Sequence, residues 1–158
     1  MVNMSSLKEN LWIIPLIGAI LAIISLITPI ATFVVSATQT FYCWTWFILS
    51  VGQDLVLIPN SDEVLRFVGI LGSVLILTAV GIIAITIYKI QNNDIKNSLV
   101  GPYWLISGFL IIGGAIISII ALNSYVLNGY TPNFGVFGQC IAAVIVMIGA
   151  LLFIKDNS

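Results

Sequence analysis

The chain has 158 residues, a formal net charge of −1, 60% hydrophobic residues and only 7% charged ones. Soluble domains run near ~45–50% apolar and ~25% charged, so a water-soluble fold would lack the polar surface to cover it, and the sequence reads as an all-α integral membrane protein. The same balance leaves no basic cluster for nucleic acid. The absence of histidine and the wide separation of the two cysteines, Cys43 and Cys140, remove the commonest general base and the CxxC pattern of zinc or thiol redox chemistry.

In chain order, Lys8 and Glu9 lead into a first apolar run over residues 11–35. At about 25 residues it exceeds the ~7–15 of a signal-peptide core and meets the ~20 needed to cross a bilayer. A retained first span is therefore expected. Pro15 lies in its first turn, where a missing N–H costs little. Pro29 lies deeper and is expected to bend the outer end, freeing the Ser25 carbonyl for a hydroxyl of Thr28 or Thr32.

Residues 36–63 form the one connection large enough to build structure. Residues 38–47 (TQTFYCWTWF) are β-branched and aromatic, Gly52-Gln53-Asp54 reads as a turn, and residues 55–58 (LVLI) precede Pro59. Two strands around a turn, a short β-hairpin, are expected. A lone hairpin is marginal in water, so its aromatic face, Phe41, Tyr42, Trp44, Trp46 and Phe47, is the candidate interaction surface, covered by the membrane interface or a partner. Cys43 within it reads either as an intermolecular disulfide or as a buried thiol.

Three further apolar runs follow, over residues 64–88, 99–122 and 134–154. Pro102 is placed in the first turn of the third span, with Ser98 as a possible N-cap. No charged residue lies between Phe67 and Ile87, between Leu99 and Leu122 or between Gly135 and Ile154, although proton relays, voltage sensors and coupled cation transport use such groups. Gln139 is the most polar residue within a span, placed to hydrogen-bond a neighbouring helix. Cys140 reads as a small packing residue.

The basic residues orient the spans. Lys8, Lys89, Lys96 and Lys155 fall on one side if the spans alternate, and Arg66 alone falls on the other, beside Asp54, Asp62 and Glu63. Both termini are expected in the cytoplasm, with the protein in the cell (plasma) membrane and the Asn3-Met4-Ser5 sequon unglycosylated. The acids beside Arg66 read as a solvated helix start, so neither a catalytic pair nor a metal site is expected.

Lipid gives helices no hydrophobic reason to associate, so close packing around small residues must hold them together. Such residues recur at seven-residue spacing in every span: Gly18, Ser25, Thr32; Gly72, Ala79, Thr86; Ser107, Gly114, Ala121; and Gly135, Ala142, Gly149. Sevenfold spacing keeps a seam on one face of a left-handed bundle. The expected architecture is a single domain over residues 1–158, a left-handed four-helix transmembrane bundle packed through Gly18, Gly72, Gly114, Ala142 and Gly149.

Four spans, cytoplasmic termini, a longer strand-bearing first outer loop with Trp44 and Trp46 beside Cys43, and a short second outer loop resemble the claudin and PMP22 tetraspan proteins. The resemblance implies a four-span bundle and a role in membrane interaction or adhesion. It does not carry over the family's loop disulfide, since Cys43 precedes the tryptophans and the loop has no second cysteine.

Two function classes follow. One is a structural or interaction protein, a scaffold, adhesion or accessory subunit, bound to the bilayer and to a second copy or an unlike membrane protein through its outer loop and helix faces. The other is an oligomeric channel or transporter subunit, with Ser25, Thr28, Ser73, Thr78, Thr86, Ser107 and Ser118 as liners. With no recognised motif, neither an enzyme nor a cofactor is expected.

Overall fold

The computed structural model describes residues 10–37, 39–44, 47–51, 56–59, 63–126 and 131–157. Among them are four helices: α1 (Ile13–Ile27), α2 (Glu63–Gln91), α3 (Asn97–Val126) and α4 (Phe134–Asp156). Five strands accompany them: β1 (Ala31–Ser36), β2 (Gln39–Cys43), β3 (Phe47–Val51), β4 (Val56–Pro59) and β5 (Thr131–Pro132). The helix regions Arg66–Gln91, Asn97–Ile120 and Phe134–Asp156 are each long and apolar enough to cross a membrane. Lys8, Trp46, the Gly52–Asp54 turn and Asp62 lie outside the described residues.

The first apolar run divides in two, correcting the single span expected over residues 11–35. Helix α1 stops at Ile27, and residues from Ala31 onward are strand β1. Proline disfavours helical geometry in the residue before it, and Thr28 adopts an extended conformation (φ −91°, ψ 149°). Pro29 thus ends the helix instead of kinking it. The Ser25 carbonyl still receives the anticipated bond, from Thr28 Oγ1 at 3.2 Å. A second correction concerns Pro102: α3 begins at Asn97, so Pro102 is its sixth residue and Ser98 lies inside the helix.

The strand-bearing element is larger than the expected hairpin. The strands form one antiparallel sheet in the order β4-β3-β2-β1-β5. The aromatic run read as one strand is split, with β2 ending at Cys43 and β3 starting at Phe47. Strand β5 comes from the second connection and pairs with β1 through Ala31↔Pro132 and Thr32↔Thr131. Further strands joined to the hairpin remove the marginality of a lone one.

The helices pack in the cycle α1–α4–α3–α2, with a lesser contact from α2 back to α1. Their surfaces are sorted by size. Gly18, Ala22, Ala79, Gly114, Ala142 and Ala150 are buried, while Ile70, Leu77, Ile85, Phe109, Ile120 and Leu151 are exposed. Water would reverse this sorting, whereas lipid rewards close backbone approach inside and bulky apolar groups outside. The buried centre adds Ile76, Ile83, Ile111, Val146 and Trp104, whose ring meets Phe153 edge-on at a centroid distance of 5.0 Å.

The two ends of the molecule differ. At one end Trp12, Ile90, Asn93, Phe153 and Asp156 line one cavity of about 240 Å³, bringing together the start of α1, the α2–α3 turn and the end of α4. That turn is closed by Asn93 in the left-handed conformation (φ 57°), which asparagine tolerates. The sheet occupies the other end.

Candidate functional site

The feature with most built detail is the junction between the sheet and the ends of α1 and α4. Once Pro29 stops α1, the backbone at Pro29–Ile30 loses its helical partners and needs replacements. The Ile30 N–H donates to the Cys43 carbonyl at 2.8 Å, and the Ile30 carbonyl accepts from the Asn133 N–H at 2.8 Å. The Pro29 carbonyl accepts from the Gly135 N–H at 3.1 Å. A Cβ at Gly135 would sit 2.7 Å from that carbonyl oxygen, so the approach needs glycine. Thr131 Oγ1 donates to the Thr32 carbonyl at 3.0 Å, and Asn133 Nδ2 donates to Thr32 Oγ1. Ile30, Ala31, Cys43 and Val136 close the junction as a small buried cluster.

The candidate aromatic surface is divided by this arrangement. Successive strand residues point to opposite faces. Phe41 pairs with Phe33 across the strands, on the same face as the buried pair Ala31 and Cys43. The Phe33 and Phe41 rings are 6.4 Å apart. Tyr42 faces the other way, opposite Thr32. Trp44 is half-buried, and its indole N–H donates to the Ile27 carbonyl at 3.2 Å, tying β2 to the last turn of α1. Phe47 opens β3. Cys43 is 1% exposed, so an intermolecular disulfide would first require the junction to open. Cys140 is exposed on α4, which corrects its reading as a packing residue.

The packing candidates lie at helix crossings. A Cβ at Gly18 of α1 would stand 2.5 Å from Val146 Cγ2 and 2.9 Å from the Ala142 carbonyl oxygen of α4. Gly72 and Gly114 face each other across α2 and α3, and Gly149 lies against Pro15. Sequence reasoning missed a second seam on α3: Gly101 abuts Ile154, and Gly108 abuts Met147. Their signal was present, since Gly101, Gly108 and Ala115 repeat at seven residues one position off the seam already read.

The hydroxyls offered as channel liners are spent within their own helices. Ser25, Ser73, Thr78, Thr86, Ser107 and Ser118 each donate to the carbonyl four residues earlier, at 2.6–3.0 Å. Gln139 is 2% exposed, and its Oε1 has no hydrogen-bond partner among the described residues. No group of three metal-ligating side chains occurs among the described residues. Compared with known proteins, the chain matches no family model and no curated sequence. The three long apolar helices and the outward apolar belt are consistent with a membrane-embedded protein.

Proposed function

We propose that the chain is a four-span membrane protein of claudin/PMP22-like architecture, a left-handed bundle with both termini cytoplasmic in the cell membrane. It works as a structural or interaction protein, and its partner is a second copy or an unlike membrane protein. The observation that carries the reading is a sheet, built from both connections at one end of the bundle, whose order leaves β4 as an outer strand. An outer strand is a template for pairing with another chain.

The length of α1 fits a fourth crossing when its flank is counted. Its 15 residues rise about 22 Å at ~1.5 Å each. The non-helical residues 28–30, with Thr28 extended, add at most about 10 Å at ~3.3 Å each, enough to reach the ~30 Å hydrocarbon core. Non-helical backbone is tolerated at that depth where protein satisfies it, as the bonds at Pro29 and Ile30 do. Hydroxyls already bonded within their helices favour the scaffold over a channel.

The test is the oligomeric state in nanodiscs by native mass spectrometry, for the wild type and for Leu57→Pro and Ile58→Pro in β4. Backbone N–H groups alternate between the two edges of a strand, so one of these prolines removes only an outward donor and leaves the monomer folded. A discrete oligomer lost in that variant is expected. A monomeric wild type, or an oligomer that survives both changes, overturns pairing through β4.

A further inference from the structure

A groove of about 540 Å³ lies between the end of α2 and the start of α3, far from the sheet. We propose that it binds one phospholipid with a net-negative headgroup, its phosphate held by Lys89 and Lys96 and its acyl chain laid against the apolar wall. The wall is formed by Ile82 and Ile85 on one side and Leu99 on the other, with Tyr103 beside it. Ile85 and Leu99 are 59% and 46% exposed, so the wall is continuous with the outward apolar belt. Lys89, Asp94 and Lys96 also line the groove and are exposed.

The volume falls within the ~300–1,000 Å³ of small-ligand sites. The mouth is ordered: the Asp94 N–H donates to the Lys89 carbonyl at 2.9 Å and the Leu99 N–H to the Lys96 carbonyl at 2.9 Å. Thr86 is buried and its hydroxyl donates to the Ile82 carbonyl, so that donor is not offered to a headgroup. The negative end of the α2 dipole and the positive end of the α3 dipole lie side by side here and offset each other. Side chains therefore set the local charge, two ammonium groups against one carboxylate. Cations above an apolar wall at the end of membrane-crossing helices match an anionic headgroup above its acyl chain. The site requires only that α2 and α3 cross the membrane. It stands whether or not the sheet binds a partner, and its readout is separate from oligomeric state.

The experiment is native mass spectrometry of the full chain titrated with dioleoylphosphatidylglycerol or dioleoylphosphatidylcholine. The wild type is expected to retain one phosphatidylglycerol in preference to phosphatidylcholine. At about fivefold per lysine, Lys89→Gln with Lys96→Gln should weaken phosphatidylglycerol binding about 25-fold. Lys155→Gln removes one charge outside the groove and should leave binding intact, where Lys89→Gln alone should weaken it about fivefold. Ile85→Trp fills the groove with both lysines kept and should abolish the bound lipid, and Leu99→Trp repeats that test from the opposite wall if Ile85→Trp does not fold. The proposal is overturned by equal retention of the two lipids, by a Lys155→Gln effect as large as that of Lys89→Gln, or by full binding in a folded tryptophan variant.

Discussion

Gly18→Ala is a one-carbon test of the α1–α4 crossing. The added Cβ would lie 2.5 Å from Val146 Cγ2 and 2.9 Å from the Ala142 carbonyl oxygen. The valine methyl has some freedom to rotate away, whereas the carbonyl is backbone and has none. Restoring a contact of 3.4 Å to that oxygen requires the helices to part by about 0.5 Å. A gap of that size forfeits about a quarter of the dispersion energy of every atom pair across the crossing. Overpacking of this kind costs about 1–3 kcal/mol, and alanine returns up to about 1 kcal/mol in helix propensity. A net loss of about 1–2 kcal/mol is expected. Gly81→Ala provides the opposite case, since a Cβ there meets nothing within 4 Å. That change should be neutral or stabilising by up to about 1 kcal/mol. The assay is equilibrium unfolding in mixed micelles of dodecylmaltoside and sodium dodecyl sulfate, followed by tryptophan fluorescence. Gly18→Ala tolerated as well as Gly81→Ala would refute the close crossing.

Two further outcomes are expected. Trp104 is fully buried, with its indole N–H unpartnered among the described residues. Trp104→Phe should therefore change stability by less than about 1 kcal/mol, while Trp104→Ala should lose about 3–5 kcal/mol; thermal unfolding in detergent compares them, and equal losses would show that the indole N–H is bonded. The Cys43 thiol, buried at 1% exposure, should resist a small maleimide in the native protein and react on unfolding in sodium dodecyl sulfate. Rapid native labelling, read by mass spectrometry, would mean that the junction opens readily.

The helices were most legible where apolar runs were long and uninterrupted. The runs over residues 64–88, 99–122 and 134–154 lie within α2, α3 and α4, whose ends extend beyond them by up to four residues. The first run was misread at Pro29. Residues 30–36 are apolar and β-branched, a composition that serves a buried helix or a strand equally well, and the proline that separates the two was read as a kink. The sheet was half legible. The turn chemistry around Gly52 marked a hairpin, but neither β1, hidden in the apolar run, nor β5, two residues long, has a local pattern strong enough to announce itself. Small-residue spacing named the faces that meet at the crossings, while a seven-residue repeat could not say which helix would face which. Trp44 shows the general obstacle: its bond to Ile27 spans 17 positions and exists only because β2 returns antiparallel to β1.

The pairing of β1 with β5 has a bearing on the order in which the molecule can be made. Thr131 and Thr32, joined by a hydrogen bond, are separated by 99 positions, so this contact forms only after residue 131 has left the ribosome. Contacts of such separation are slow to form because the intervening loop must close first. Until α4 arrives, a nascent chain holds α1 with its Gly18 face uncovered and the Pro29 and Ile30 carbonyls without the N–H donors of Gly135 and Asn133. Those are the features that cellular quality control can sense in an unfinished product. Helix α4 is thus the latch of the assembly, and a stop codon before residue 131 should yield a chain that inserts in the membrane and is then degraded.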